Sequence, residues 1–378
     1  MKCKKVIKFS LNGYRMRLVL VGFVAGIVFG AGSAKADFTF GEPVNLGPPV
    51  NSSVGDYGPS VSADGLSLYF ASKRCDGYGS NDLWLATRPT TNDPWGEPAN
   101  LGPTVNTEHR EQHPEISADG LELFFFSDRP GGYGVRDIWV STRETKDDDW
   151  GSPVNLGPLV NSLADEISPS TSSDGLELYF SDRTPELARP GGYGWSDIWV
   201  TTRPTKDDPW GEPVNLGPVV NSSSQDARPH LSPDGLLLFF DSQRDVTYGD
   251  LYMSRRTTLS EPWGTPVNLG RIVNSPDFEE SPSISYDGTT LFFDRIIVSE
   301  GLDSSDIWKA PILPIVDFNG DRIVDAADMC ILVDHWGTNN SLCDIGPMPW
   351  GDGVVDVEDL IVLAEHLFEE LPGRPIEP

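Results

Sequence analysis

The feature that most constrains the fold is a repeat of 53 to 60 residues, which runs five times between residues 38 and 310. Every copy carries an S-x-D-G turn, a D-[IL]-[WY] triplet and a P-x-N-L-G element. The turn aspartates are Asp64, Asp119, Asp174, Asp234 and Asp287. A period near 50 with several short β-type runs per copy predicts a β-propeller with one blade per copy.

Each copy divides into four predicted strands. In the second copy they are Pro114–Ser117, Leu121–Ser127, Asp137–Arg143 and Trp150–Leu156. These runs are rich in aromatic and aliphatic residues and are bounded by Gly, Pro and Asp, as strands are. The sequence therefore predicts an all-β domain of four-stranded blades.

The two ends of the repeat region predict how the ring closes. The first P-x-N-L-G element, Phe40–Gly47, precedes every S-x-D-G turn, and the last copy ends at Trp308 without such an element. The N-terminal strand therefore completes the fifth blade, which removes the exposed strand edges of an open ring.

The motifs S-x-D-G-x-x-L-x-F and D-[IL]-W resemble the WD40-like propeller units of TolB-type periplasmic proteins. The resemblance extends over the repeat region, and it implies a fold while leaving the ligand open.

Residues 1–36 have the layout of a secretory signal peptide. A basic segment precedes an apolar run from Leu18 to Ala31, and Ala34-Lys35-Ala36 forms an A-x-A cleavage site. The alternative is a retained membrane anchor, but the run is short of the usual ~20 residues. We therefore expect a secreted chain, extracellular or periplasmic, with no membrane span after cleavage. Four segments follow: the signal 1–36, a propeller 37–313, a calcium-binding domain 314–370 and a flexible tail 371–378.

The charge of the chain excludes one class of partner. The full sequence has a net charge of −29, and loss of the seven basic residues in 1–36 leaves 21 basic against 57 acidic residues, a net of −36. Such a chain repels nucleic acids and anionic membranes.

Three cysteines remain after loss of residues 1–36: Cys75, Cys330 and Cys343. Secretion permits a Cys330–Cys343 disulfide, which would leave Cys75 unpaired.

The segment Asp317–Asp328 predicts a calcium loop. Oxygen-bearing side chains occupy loop positions 1, 3, 5, 9 and 12, and the carbonyl of Ile323 lies at position 7. These side chains belong to Asp317, Asn319, Asp321, Asp325 and Asp328. This spacing encloses one Ca²⁺ in the EF-hand manner. A solvated acidic turn explains the charge but not the spacing.

A second, weaker copy follows a predicted helix that runs from Ala326 to Trp336. Its predicted ligands are Asp352, Asp356, Asp359 and the carbonyl of Val354. Counting back from Asp359 places Met348 and Trp350 at positions 1 and 3, and neither side chain binds calcium. Asp344 is a ligand only if the chain folds back across the insert 347–349.

Two calcium loops, each followed by a helix, resemble a type I dockerin. The resemblance implies docking to a cohesin-like or cell-surface protein. Arg322 replaces the usual Gly at position 6 of the first loop. The partner-reading positions 10 and 11 differ between the copies, which leaves the partner open. They carry Ala326 and Ala327 in one copy and Val357 and Glu358 in the other.

One acid in each copy, eight residues before the turn aspartate, faces a predicted arginine across the turn. The acids are Asp56, Glu111, Glu166, Asp226 and Glu279; the arginines are Arg74, Arg129, Arg183, Arg244 and Arg295. Antiparallel pairing favours a structural ion pair in each blade, and an acidic ring around the axis is the alternative.

Two tryptophan sets also repeat, and we expect them to pack, with sugar stacking as the alternative for the second. The sets are Trp84, Trp139, Trp199 and Trp308, and Trp95, Trp150, Trp210 and Trp263.

Residues that break the repeat are the candidates for a binding site. They are His109, Arg110, His113, Arg228 and His230. They lie at predicted blade ends, where propellers bind ligands. The three histidines occupy non-equivalent positions, so a shared metal site is not expected.

Three functions remain open. The favoured one is a secreted, non-catalytic propeller that binds protein or glycan and is attached through its dockerin-like tail. The rival is a dockerin-bearing glycoside hydrolase, for which Glu115 and Glu186 are candidate acids. In the third, the tail is only a calcium-stabilised cap. No residue is assigned a catalytic role from the sequence.

Overall fold

The structure is a computed structural model. It describes residues 38–183, 189–245, 248–297, 305–319, 323–338, 340, 343–346 and 354–368. The chain forms two compact units. One spans Phe40–Leu313, and the other contains the C-terminal segment from Pro314 onward.

The first unit is an all-β propeller of five blades. Blade 1 consists of β3 (Asp56–Val61), β4 (Ser67–Ser72), β5 (Asp82–Thr87) and β6 (Ala99–Asn100). Blade 2 consists of β7 (Glu111–Ile116), β8 (Glu122–Ser127), β9 (Asp137–Thr142) and β10 (Val154–Asn155). Blade 3 consists of β11 (Asp165–Thr171), β12 (Glu177–Arg183), β13 (Ile198–Thr202) and β14 (Val214–Asn215). Blade 4 consists of β15 (Asp226–Leu231), β16 (Leu237–Ser242), β17 (Asp250–Arg255) and β18 (Val267–Asn268). Within each blade, neighbouring strands are antiparallel and follow chain order.

The fifth blade combines both ends of the repeat region. It contains β19 (Phe278–Ile284), β20 (Thr290–Ile296) and β21 (Ser305–Pro314), joined by β1 (Phe38–Phe40) and β2 (Val44–Asn45). Val44 pairs with Lys309 in antiparallel register. The predicted five blades and N-terminal closure are confirmed. The fourth strands are shorter than predicted, because only two residues of each P-x-N-L-G element join the sheet.

The hydrophobic core lies between neighbouring blades. Strands alternate their side chains between two faces, and β4 shows the result: Leu68 and Phe70 pack toward blade 5, while Tyr69 packs toward blade 2. Equivalent clusters join blades 2 and 3 and blades 3 and 4. The apolar residues therefore bind the blades to one another, and the axis is left to polar residues.

The C-terminal unit contains two short helices, α1 (Ala326–Asp334) and α2 (Val357–Glu365). Each begins at an aspartate that caps it, Asp325 for α1 and Asp356 for α2, in a capping box. Their inner faces share a small core with Val316, Val324, Val355 and neighbouring residues. Among the described residues, no helix has the length and apolar character needed to cross a membrane.

Candidate functional site

The repeated acids are part of the scaffold. Each is buried on its inner strand and accepts an arginine nitrogen at 2.5 to 3.5 Å. The arginine also lies over the aromatic ring of the D-[IL]-[WY] triplet. An acid held in this way is unavailable to a ligand, so the predicted ion pairs are confirmed in four blades.

Blade 3 departs from the predicted pairing. Glu166 is bound by Arg189 at 3.1 Å, not by Arg183. Arg183 ends β12 opposite Asp165 and is exposed. Although the residue as a whole is exposed, partial desolvation of its guanidinium and then the charge of Arg228 lower the pKa of Arg183. Arg189, the last residue of the insert 184–189, therefore supplies the structural arginine of blade 3. Glu186, a candidate acid of the hydrolase hypothesis, lies outside the described residues.

Both tryptophan sets have packing roles. In the first set, each tryptophan ring lies against the arginine that pairs with the repeated acid of its blade, as Trp84 lies against Arg74. In the second, a guanidinium covers each ring at 4.2 to 4.5 Å from its centroid, as Arg88 covers Trp95 and Arg203 covers Trp210. Trp95, Trp210 and Trp263 are also buried and Trp150 is half-buried, so packing is confirmed for this set.

Five equivalent residues, one from each blade, line an opening on the propeller axis, which we call the entry mouth of the axial channel. They are Gly58, His113, Ser168, Arg228 and Ser281. All have left-handed φ angles of 49 to 57° and precede a proline, at a bulge in the inner strand. This conformation costs a non-glycine residue roughly 1–3 kcal/mol. The scaffold is the same in every blade, but the side chains differ, so the mouth is asymmetric.

His113 and Ser168 form one side of the entry mouth. His113 Nδ1 lies 2.9 Å from Ser168 Oγ. A Cβ atom on Gly58 would lie 3.0 Å from His113 Cα, so the glycine leaves room for the imidazole. Burial, then the charges of Arg228 and other nearby arginines, holds the pKa of His113 well below its usual value. The imidazole is neutral at pH 7 and both donates and accepts hydrogen bonds.

Arg228 forms the opposite side. Its Nη1 lies 3.0 Å from Asp241 and its Nη2 lies 2.7 Å from Glu280. Burial raises the pKa of Asp241 to about 6. Burial, followed by the charge of Glu280, raises the pKa of Asp294 well above its usual value. The guanidinium of Arg228 is therefore the ion-pair partner of both Asp241 and Glu280. Its Nε atom is buried without a hydrogen-bond partner among the described atoms.

A second polar ring lies deeper in the channel, toward the turn mouth, which is the opening at the S-x-D-G turns. Glu115 accepts hydrogen bonds from Ser60 Oγ at 3.0 Å and from the Thr171 amide at 3.3 Å. His230 Nδ1 lies 3.8 Å from Glu115 Oε2. Burial raises the pKa of Glu115 to about 7 and lowers that of His230 to about 4.

The structure brings three of the five predicted binding residues to the axis. His113 and Arg228 occupy equivalent positions at the entry mouth, and His230 occupies the position of Glu115. His109 and Arg110 lie instead at the start of β7, where His109 is 4.0 Å from Asp128 and Arg110 pairs with blade 1.

Exposed aromatic side chains surround the entry mouth, and the sequence reasoning missed them. They are Tyr78, Tyr133, Tyr193, Trp195 and Tyr248. The amides of the first three tyrosines donate to the D-[IL]-W aspartates. Those aspartates start the third strand of each blade, and parallel bridges place these starts beside the starts of the next inner strands. A Y-G dipeptide recurs before four of the five aspartates, and it was the available signal.

The C-terminal unit is built from two equivalent halves. Asp328 Oδ1 accepts the amides of residues 318 and 319, and Asp359 Oδ1 accepts those of residues 345 and 346. Asp328 Oδ2 and Asp359 Oδ2 each accept the amide of the helix-capping aspartate. This register aligns Asp344 with Asp317, at position 1 of the second loop, as the folded-back alternative required.

Several predicted calcium ligands can be placed in these halves. Asn319, Ile323, Asp325, Val354 and Asp356 are described, whereas Asp321 and Asp352 lie outside the described residues. Among the residues that the structure describes, no three His, Cys, Asp or Glu side chains converge on one point. Cys330 and Cys343 are not joined by a disulfide, which corrects that expectation.

Comparison with known proteins identifies solved structures with a similar fold. No family model matches the sequence, and no curated protein matches it. A thermostable family-43 glycoside hydrolase is 13% identical, with a TM-score of 0.51 over 71% of this chain and 93% of that chain. The catalytic domain of a Coprinopsis cinerea GH62 alpha-L-arabinofuranosidase is 12% identical, with a TM-score of 0.51 over 73% and 97%. TolB from Acinetobacter baumannii is 14% identical at a TM-score of 0.43 over 69% of this chain, which spans 55% of TolB. At such identities the likeness to the hydrolases is one of fold alone.

Proposed function

We propose that the chain is a secreted, non-catalytic binding protein. Its propeller binds a ligand at the entry mouth, and its C-terminal segment 314–370 docks in a calcium-dependent manner to a cohesin-like or cell-surface protein. The observation that carries the proposal is the pairing of Arg228 with Asp241 and Glu280. These two acids near the entry mouth are therefore the ion-pair partners of a guanidinium.

The non-catalytic part of the proposal rests on these carboxylates. Glycoside hydrolysis requires one carboxyl group that gives a proton and a second that acts as base or nucleophile. Asp241 is fully buried and Glu280 nearly so, and both contact Arg228. A carboxylate that neutralises a buried arginine leaves it only at a cost of several kcal/mol. The entry mouth is therefore suited to binding.

The calcium part rests on the two equivalent loops. A carboxylate offers about four acceptor sites, and Asp328 and Asp359 each use three of them for backbone amides, which leaves one for a cation. The first ion would be held by Asp317, Asn319, Asp321, Asp325, Asp328 and the carbonyl of Ile323. The second would be held by Asp344, Asp352, Asp356, Asp359 and the carbonyl of Val354. Bound Ca²⁺ would neutralise the loops and fix the helices that follow them.

The docking part rests on an apolar stripe along α2. Val357, Ile361 and Ala364 are exposed at helical spacing, and Phe368 follows them at 82% exposure. The other face of the helix buries Val362 and Leu363 in the core of the unit. An exposed row of apolar side chains on a small domain fits a hydrophobic groove on a protein partner.

The test uses the mature chain, residues 37–378, immobilised and exposed to surface and secreted fractions of the source organism with Ca²⁺ or with EGTA. We expect one partner that is retained only with Ca²⁺ and that rebinds as a purified protein. Ile361→Asp should abolish capture, whereas Asp334→Ala, an exposed change on α1, should not. Capture that is unchanged in EGTA, or no capture, contradicts the docking proposal and favours a structural calcium cap.

The second candidate is a glycoside hydrolase, and Glu115 favours it. Burial raises the pKa of Glu115 to about 7, which suits a general acid at neutral pH, and Glu115 lines both channel mouths. This candidate requires saccharide release that Glu115→Gln abolishes.

A further inference from the structure

Trp195 is the most exposed aromatic side chain of the described propeller, at 70% exposure. The equivalent loop positions carry Ser80 in blade 1 and Val135 in blade 2, so this tryptophan is not part of the repeated scaffold. A side chain so exposed adds little to the stability of the fold, because its apolar surface remains in water. Its role is therefore at the surface.

The loop that carries Trp195 is held in place. The Trp195 amide donates to Ser224 O at 2.9 Å, and the Gly194 amide donates to Asp197 at 3.0 Å. A Cβ atom on Gly194 would lie 2.1 Å from Ser224 O, so the loop sits directly on blade 4. The indole is thus presented on a fixed backbone, which lowers the entropy cost of binding.

The layout of the face distinguishes two kinds of ligand. Protein interfaces place apolar and aromatic residues at the centre and polar residues at the rim. This face is reversed: polar His113, Ser168 and Arg228 line the central mouth, and separate aromatic side chains surround it. Sugars suit that order, because hydroxyl groups bond to the polar centre while the C–H face of a sugar ring packs on an aromatic ring.

The charge of the chain favours a neutral glycan over an acidic one as the ligand of the entry face. The predicted mature chain carries a net −36, which repels polyanions at long range. At the mouth, buried carboxylates accompany the arginines: Arg228 has Asp241 and Glu280, and Arg136 lies 3.7 Å from Asp165. Arg110 and Arg183 also act on this group, and Asp128, Asp165 and Glu280 offset their charge, so positive charge is matched by negative charge among the described residues of the mouth.

We infer that the entry face is a binding site for a neutral polysaccharide, with Trp195 as its stacking platform and Tyr193 beside it. The residues at the entry mouth, including His113 and Arg228, bond to its hydroxyl groups. This inference rests on the proposal that the propeller is the ligand-binding part of the protein.

The experiment measures binding of the mature chain to arabinoxylan, xyloglucan, galactomannan and polygalacturonate by affinity electrophoresis and calorimetry. We expect at least one neutral polymer to bind and polygalacturonate not to bind. Trp195→Ala should weaken binding at least tenfold, and Trp195→Phe should retain part of it. Val135→Ala is the matched control, because it truncates an exposed side chain at the equivalent position of blade 2; it should stay within twofold of the wild type.

Three results would overturn the inference. They are binding unaffected by Trp195→Ala, polygalacturonate binding as tight as that of any neutral polymer, and no binding to any polymer. Protein capture that Trp195→Ala abolishes, in the absence of polymer binding, would assign the face to a protein ligand instead. Release of reducing sugar from a bound polymer has a different meaning: it contradicts the non-catalytic proposal and leaves the glycan site intact.

Discussion

Asn45 donates its side-chain amide to the Asp306 carboxylate at 2.7 Å, across 261 residues of chain. In the blades formed by continuous chain, the same bond joins residues only 18 apart, as between Asn155 and Asp137. Asn51, six residues further on, also bonds the backbone of Ile307. One repeated hydrogen-bond unit therefore serves as an internal clamp in four blades and as the ring closure in the fifth.

Asn45→Ala should destabilise the ring closure in blade 5 more than Asn155→Ala destabilises blade 2. Both changes remove one amide from a buried network, at about 1 kcal/mol each. Only Asn45→Ala weakens the ring closure, because β2 is held to the rest of blade 5 by non-covalent contacts with β21. Hydrogen exchange should show lost protection in β2 and β21 for Asn45→Ala, and local loss around β9 and β10 for Asn155→Ala. Equal, local effects in both variants would contradict the closure.

Arg189→Ala should destabilise the propeller, whereas Arg183→Ala should not. Glu166 is fully buried and its guanidinium partner is Arg189. Removing that partner leaves a buried acid uncompensated, at a cost of about 3 kcal/mol. Arg183 is exposed, so its loss should cost less than about 1 kcal/mol. Urea denaturation measures both free energies of unfolding, and the reverse order would restore the pairing predicted from the sequence.

The buried acids should make the propeller lose stability as pH rises from about 4 to 7, whereas the lowered pKa values of His113 and His230 act in the opposite direction over part of that window. Burial raises the pKa of Glu115 and of Glu166 to about 7 and that of Asp241 to about 6. Because these values exceed those of the unfolded chain, the folded state binds more protons within this window, and the free energy of unfolding falls as the protons leave.

Denaturation midpoints between pH 4.5 and 8 measure that slope. Glu115→Gln, which cannot ionise, should flatten it and raise the Tm at pH 8 by roughly 2–4 °C, equal to about 1 kcal/mol. A slope and a Tm at pH 8 that are the same in Glu115→Gln and in the wild type would contradict the raised pKa of Glu115.

Calcium removal should affect the C-terminal unit alone. Metal that binds the folded state stabilises it by about 2.7 kcal/mol at a concentration one hundred times Kd. Calorimetry of the mature chain should therefore show one transition that shifts down in EGTA and one, from the propeller, that stays. Asp317→Ala should reduce the calcium-dependent shift, and a tail transition insensitive to EGTA would contradict calcium binding.

The repeat made the blade number, the ring closure and four of the five ion pairs predictable, because each depends on spacing along the chain. Arg189 was not predictable, since its choice over Arg183 depends on how the insert folds. The positional equivalence of His113 and Arg228 follows from the bulge before each proline. Trp195 was not predictable, because it does not belong to either repeated tryptophan set and spacing along the chain does not encode exposure.

The most direct test of the account follows binding and hydrolysis in one reaction. The mature chain is incubated with each neutral polymer, and the bound fraction and newly formed reducing ends are measured together. We expect binding that Trp195→Ala weakens at least tenfold, with no reducing ends above the level without protein. Reducing ends that accumulate with the wild-type chain and disappear with Glu115→Gln would contradict the account and make the protein a glycoside hydrolase.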